Sequence, residues 1–120
     1  MFRLRTKTDF DAAHFLVGYE GKCKRMHGHL WVVEVFVTGK ELDEIGFVMD
    51  FGVIKSALKV IINNMDHYVL NERIPEMGNP SCENVAKYIY NCLKPSIPAT
   101  GQLEKVRVWE TPRSWAEYFE

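Results

Sequence analysis

No apolar run in this 120-residue sequence approaches the roughly 20 residues needed to cross a bilayer, which excludes a helical membrane span. An excess of charge is also missing. Fifteen Lys and Arg stand against sixteen Asp and Glu, and the basic residues are scattered singly, which argues against a general nucleic-acid binder. The first twenty residues alternate charged and apolar side chains, so they lack the pattern of a signal peptide, and a cytoplasmic protein is expected. Only three cysteines occur, an odd number without framework spacing, which excludes a disulfide scaffold and leaves free thiols. Cys92, on a helical pattern beside Tyr90 and Leu93, is expected to be buried and inert. Cys23 lies among Lys22, Lys24 and Arg25, whose charge favours the reactive thiolate. Histidine is scarce too, with four in the chain, yet two of them crowd into the short run CKRMHGHL at 23–30.

What is present is the composition of an ordinary globule, 47% hydrophobic and 26% charged, and the length of one domain spanning residues 1–120. There are no repeats, low-complexity tracts or linkers. Residues 2–14 alternate. Phe2, Leu4, Thr6, Thr8, Phe10, Ala12 and His14 share one parity and Arg3, Arg5, Lys7, Asp9 and Asp11 the other, as in a strand with one face on a core. A second strand is expected over 29–38, with Trp31, Val33, Val35 and Val37 in the parity of His27 and His29. Asp50 is a plausible N-cap for a helix over 51–65, with Phe51, Ile54, Leu58, Ile61 and Met65 on its apolar stripe. IPEMGNP reads as a loop. Asn79 or Ser81 then caps a helix over 81–93 carrying Val85, Tyr88, Ile89, Cys92 and Leu93, ended by Pro95 and Pro98. Strands follow over 103–110, with Val106 and Val108 inward, and over 115–119. The class is α+β: an antiparallel four-stranded sheet with two helices on one face, in the order ββααββ. Such a sheet leaves two edges and an outer face open, so a homo-oligomer closing into a barrel is expected.

The chemistry concentrates at strand ends. His27 and His29 are two residues apart, which in a strand puts both rings on one face, about 7 Å apart along the backbone. In a helix they would diverge by about 200°. Taken alone, His14 reads as a satisfied core histidine; taken with the HGH pair on an adjacent strand, it completes three imidazoles around a zinc ion with a fourth position open. Cys23 has two readings, a fourth ligand that closes the site or a free thiolate acting as base or nucleophile. Asp66–His67 is either an acid–base pair or mere polarity at a helix end. Glu110 continues the inward parity of Val106 and Val108, where a carboxylate is costly without a partner; a frayed strand end in water is the alternative.

Four segments together resemble one family: FDAAH at 10–14, CKRMHGH at 23–29, LNERIPEMGNPSCENVAKYIY at 70–90 and VWET at 108–111. They are similar to the 6-pyruvoyl-tetrahydropterin synthase superfamily over nearly the whole chain, and most of all to its 6-carboxy-5,6,7,8-tetrahydropterin synthase branch, which serves queuosine biosynthesis. The resemblance implies the tunnelling fold, with trimers closing a barrel and stacking as a homohexamer. It implies one zinc per chain on His14, His27 and His29, proton abstraction by Cys23 helped by Asp66 and His67, and a Glu110 carboxylate holding the guanidine-like edge of a pterin. It also implies a pocket lined by the helix start near Ser81, Cys82 and Glu83. Cys82 departs there from the small hydroxyl residue usual in the family, so a side-chain hydrogen bond at that point would weaken. The implied reaction is a lyase step on 7,8-dihydroneopterin triphosphate that yields 6-carboxytetrahydropterin, acetaldehyde and triphosphate. The loop KRM between Cys23 and His27 matches the short form of that branch. Lys22, Lys24 and Arg25 meet the triphosphate or simply lie in a solvated loop. The pyruvoyl product, formed without carbon loss, and a non-catalytic zinc- or pterin-binding module are the alternatives.

Overall fold

The computed structural model describes residues 1–21 and 24–120. Four strands, β1 (Phe2–His14), β2 (His27–Gly39), β3 (Gln102–Thr111) and β4 (Ser114–Phe119), form one antiparallel sheet in the order β1-β2-β3-β4. Between β2 and β3 run α1 (Phe51–Asn63), a one-turn α2 (Leu70–Arg73) and α3 (Cys82–Leu93). The alternation expected of β1 and β2 holds. Phe10, Ala12, His14, Trp31, Val33, Val35 and Val37 are buried on one face, joined from β3 by Val106 and Val108. Ile54, Leu58 and Ile62 of α1 and Val85, Ile89 and Leu93 of α3 complete that core. Period-two burial on the strands and a helical stripe opposite it are what lay the helices on one side of the sheet.

Both expected caps form. The Asp50 carboxylate accepts from the Gly52 N–H at 2.7 Å, and the Ser81 hydroxyl accepts from the Asn84 N–H at 3.2 Å, each satisfying an otherwise orphaned donor of a first turn.

Several expectations need correction. β2 begins at His27 rather than at residue 29, because His27 pairs with His14 across the ladder. α1 ends at Asn63, so Met65 is buried from the turn beyond it; Ile62 joins the core with Ile61 half-buried against it, while Phe51 is exposed. The stretch expected as a loop, residues 74–80, contains a 3₁₀ turn at Pro75–Met77, and the one-turn α2 stands just before it. Cys92 is exposed, not buried. The buried stripe of α3 runs through Cys82, Val85, Ala86, Ile89, Tyr90 and Leu93, and at about 100° per residue position 92 falls about 90° from its centre.

The outer face of the sheet is not the plain water-facing surface that alternation suggests. Glu34 is only 3% exposed. It accepts from Trp109 Nε1 at 2.6 Å and from Arg5 at 3.1 Å, with Arg107 at 3.6 Å. Arg107 and Lys105 also pair with Glu117 of β4, at 2.7 and 3.2 Å. At the far end of β1 the segment after α1 takes over the strand edge, with the His67 N–H donating to the Asp11 carbonyl and the Ala13 N–H to the Tyr68 carbonyl. No helix among the described residues is long and apolar enough to cross a membrane.

Candidate metal centre

His14 and His27 stand directly opposite each other in the β1–β2 ladder, and His29, opposite Ala12, lies two residues further along the same face. The three rings therefore meet. His14 Nε2 is 3.1 Å from His27 Nε2 and 3.3 Å from His29 Nε2. The other nitrogen of each ring faces a backbone carbonyl: His14 Nδ1–H donates to Pro80 O at 2.8 Å, His27 Nδ1–H to Arg25 O at 2.8 Å, and His29 Nδ1–H to Leu30 O at 3.0 Å. A carbonyl can only accept, so each Nδ1 carries a proton and each Nε2 faces inward, where a neutral ring would present its lone pair. Three lone pairs this close repel one another, and a shared cation turns that repulsion into attraction. Zinc–nitrogen bonds of about 2.0–2.1 Å in a tetrahedron put ligand atoms about 3.3 Å apart, the spacing found here. The donor set fits zinc.

Burial pushes the His14 imidazole below its ordinary pKa, outweighing the Pro80 carbonyl and the Glu110 carboxylate that favour the charged form. A neutral ring is what a metal requires. Trp31 underlies the cluster, stacked on His29 with ring centres 4.2 Å apart and edge-on to His14 at 4.7 Å. Its indole N–H donates to the Ala12 carbonyl at 3.2 Å.

Glu110 joins this group, with Oε1 3.6 Å from His14 Nε2, and its carboxylate lies within 4.8 Å of all three histidine donors. It continues the inward parity of Val106 and Val108 and stands at a bulge. The β3–β4 register passes from Trp109↔Trp115 directly to Thr111↔Ser114, so Glu110 has no partner on β4. Beside it opens a cleft of about 530 Å³ lined by His29, Leu30, Val32, Trp109 and Glu110, among others.

Asp66 and His67 do not enter the histidine cluster. They form a second group with Asp11. Asp66 Oδ1 accepts from the Asp11 N–H and from His67 Nδ1, each at 2.9 Å. The Asp11 amide and then the His67 ring hold the Asp66 carboxyl below its usual range. His67 has φ of 64°, alone among the described non-glycine residues in the left-handed region, a conformation that surrounding contacts must enforce. His67 and His29 line one shallow depression. Ser81 serves as the α3 cap, Glu83 is exposed in its first turn, and the lining of the cleft beside Glu110 includes neither. Cys23, expected as base or ligand, lies outside the described residues.

Sequence reasoning missed the three carbonyl partners, which leave no side-chain signature. It also missed the support from Trp31, which its parity with His29 signals.

Fold and site together are those of a small α+β protein presenting three imidazole nitrogens and a carboxylate to one metal-sized space. The sequence profile of the 6-pyruvoyl tetrahydropterin synthase family matches residues 3–120, and the chain belongs to that family of enzymes. It is 38% identical to the 6-carboxy-5,6,7,8-tetrahydropterin synthase of Synechocystis sp. over 99% of this chain and 94% of that one. It is 34% identical to the protein of that name from Haemophilus influenzae over the full length of both. Its fold matches that of the Caenorhabditis elegans 6-pyruvoyl tetrahydropterin synthase with a TM-score of 0.88 at 28% identity, covering 99% of this chain and 95% of the other.

Proposed function

We propose that the chain is a zinc-dependent 6-carboxy-5,6,7,8-tetrahydropterin synthase. It converts 7,8-dihydroneopterin triphosphate and water to 6-carboxytetrahydropterin, acetaldehyde and triphosphate, in the cytoplasm and in the service of queuosine and other 7-deazapurines. The observation that carries this reading is the convergence of three histidine Nε2 atoms beside Glu110 at the mouth of a cleft. His14, His27 and His29 would hold the zinc, which supplies a Lewis acid for the hydroxyls of the substrate side chain. Glu110 offers two oxygens to the two parallel N–H donors of the pterin's guanidine-like edge, a charge-assisted bidentate contact. The cleft beside it has a volume suited to a small bicyclic ring, and Leu30, Val32 and Trp109 give it apolar walls. Cys23 takes a proton from the substrate side chain, and His67, oriented by Asp66, returns one. Ser81 and Glu83, outside the lining of that cleft, are kept as substrate contacts because Pro80 at the same helix start touches His14.

The names of the two bacterial relatives and the three-residue spacing between Cys23 and His27 support the 6-carboxy product. The likeness to the nematode enzyme favours a second reading, in which triphosphate leaves and all three side-chain carbons stay. Purified protein with dihydroneopterin triphosphate distinguishes them. Acetaldehyde should appear in step with pterin product, read as oxidation of reduced nicotinamide by a coupled alcohol dehydrogenase. Triphosphate release without acetaldehyde would establish the pyruvoyl reaction instead.

Assembly into a closed ring is part of this proposal. β1 and β4 are the sheet edges. The outward row of β1 carries Arg3, Arg5 and Lys7, while that of β4 carries Trp115, Glu117 and Phe119, so joining the edges of neighbouring copies sets cations beside a carboxylate. Light scattering should give about six chain masses, a dimer of trimers. A stable monomer at micromolar concentration would remove this part of the reading.

A further inference from the structure

The bulge at Glu110 interrupts the β3–β4 ladder, and a side chain from outside the sheet sits at the break. Cys82, the first residue of α3, is 6% exposed, and its thiol donates to the Val108 carbonyl at 3.0 Å. Val108 and Ala116 are the registered pair on one side of the irregularity. The backbone amides of Ala116 and Glu110 also bear on the sulfur. The thiol thus touches β3 just before the bulge. Two residues earlier, Pro80 fixes the ring of His14 through Nδ1. The start of α3 therefore grips both sides of the site, the metal-facing histidine through a carbonyl and the carboxylate-bearing strand through a thiol.

We propose that Cys82 is a positioning residue whose thiol pins the β3 bulge and so holds the Glu110 carboxylate toward the substrate cleft. The proposal rests on the reading of Glu110 as the pterin's anchor. It also explains how a cysteine can stand where the resembling family usually carries a hydroxyl: the donor is retained, but it is directed at the strand. Burial pushes this thiol up to about 11, against the opposing pull of the nearby amides. At neutral pH it therefore keeps the proton it donates and stays a poor competitor for metal.

Two readouts test this, amide exchange in the ligand-free protein and fluorescence titration of the zinc-loaded protein with neopterin. Cys82→Ala should speed exchange at the Glu110 and Ala116 amides while Val35 in the sheet centre is unaffected. It should also weaken neopterin binding about ten-fold, the scale of one lost hydrogen bond, with zinc content unchanged. Cys82→Ser, which keeps a donor, should bind within about two-fold of the parent. If Cys82→Ala fails to fold, Cys82→Val removes the donor without leaving a cavity and should behave as described for alanine. Parent-like affinity and exchange in the donor-less variant, or an equal loss in the serine variant, would overturn the proposal. Glu110→Gln is the control for the reading beneath it. If that variant binds neopterin normally, Glu110 is not the anchor, a result independent of the exchange rates, which are measured without pterin.

Discussion

Cys23→Ala should retain about one zinc per chain while turnover falls by about 10²–10⁴, the usual worth of a positioned acid–base group. The reason lies in the completeness of the site without it. The His14 Nε2 already lies 3.1 and 3.3 Å from those of His27 and His29, and the Glu110 carboxylate stands beside them. Three histidines would hold the ion without a thiolate, which is why the proposed function gives Cys23 the base's role. Its neighbours Lys24 and Arg25 are exposed cations that favour the anionic sulfur. Metal analysis and steady-state rates on the same preparation separate the two roles. Loss of zinc together with activity would make Cys23 a ligand, and the proton-transfer scheme would fall with it.

His27→Ala should have the larger effect on metal. Removing a hydrogen-bonded outer partner of a metal ligand typically costs about 10–100-fold in affinity, so removing a ligand itself should exceed about 100-fold. The fold should survive, because His27 is half-buried at the end of β2 and the core residues Trp31, Val33 and Val35 keep their places. Competition with a chromophoric chelator would measure the affinity, and far-ultraviolet circular dichroism the fold. Unchanged zinc affinity in a folded variant would show that the convergent histidines are not the metal centre.

How far the sequence disclosed this arrangement depended on whether each residue's role was local. The alternation of β1 and β2 follows from a period of two, and with it the placement of His14, His27 and His29 on one face; the helix caps at Asp50 and Ser81 follow from their own side chains. Features that join distant segments were harder to read. Pro80 supplies a carbonyl to His14 from 66 residues away, and any residue type would offer the same atom. The bulge at Glu110 is a property of the pairing between β3 and β4, invisible in β3 alone, although inward parity did place Glu110 on the correct face. Cys92 was misjudged because Tyr90 and Leu93 beside it are buried, while a shift around the helix axis carries position 92 out of the stripe.

The ion pairs across the outer face carry a consequence for how the strands find their alignment. Sliding β2 by one residue would send Glu34 to the helix side and bring Val33 and Val35 into water. It would also part Glu34 from Arg5, Arg107 and Trp109, and stranding one member of a buried pair costs about 3–5 kcal/mol. Apolar pressure on one face and charge matching on the other thus penalise the same error. The histidines gain most from this double check. His14 and His27 share the last rung of the ladder with twelve residues of chain between them, and a slip of a single position would scatter the three nitrogens to opposite faces. Charges that never touch the metal keep its ligands in step.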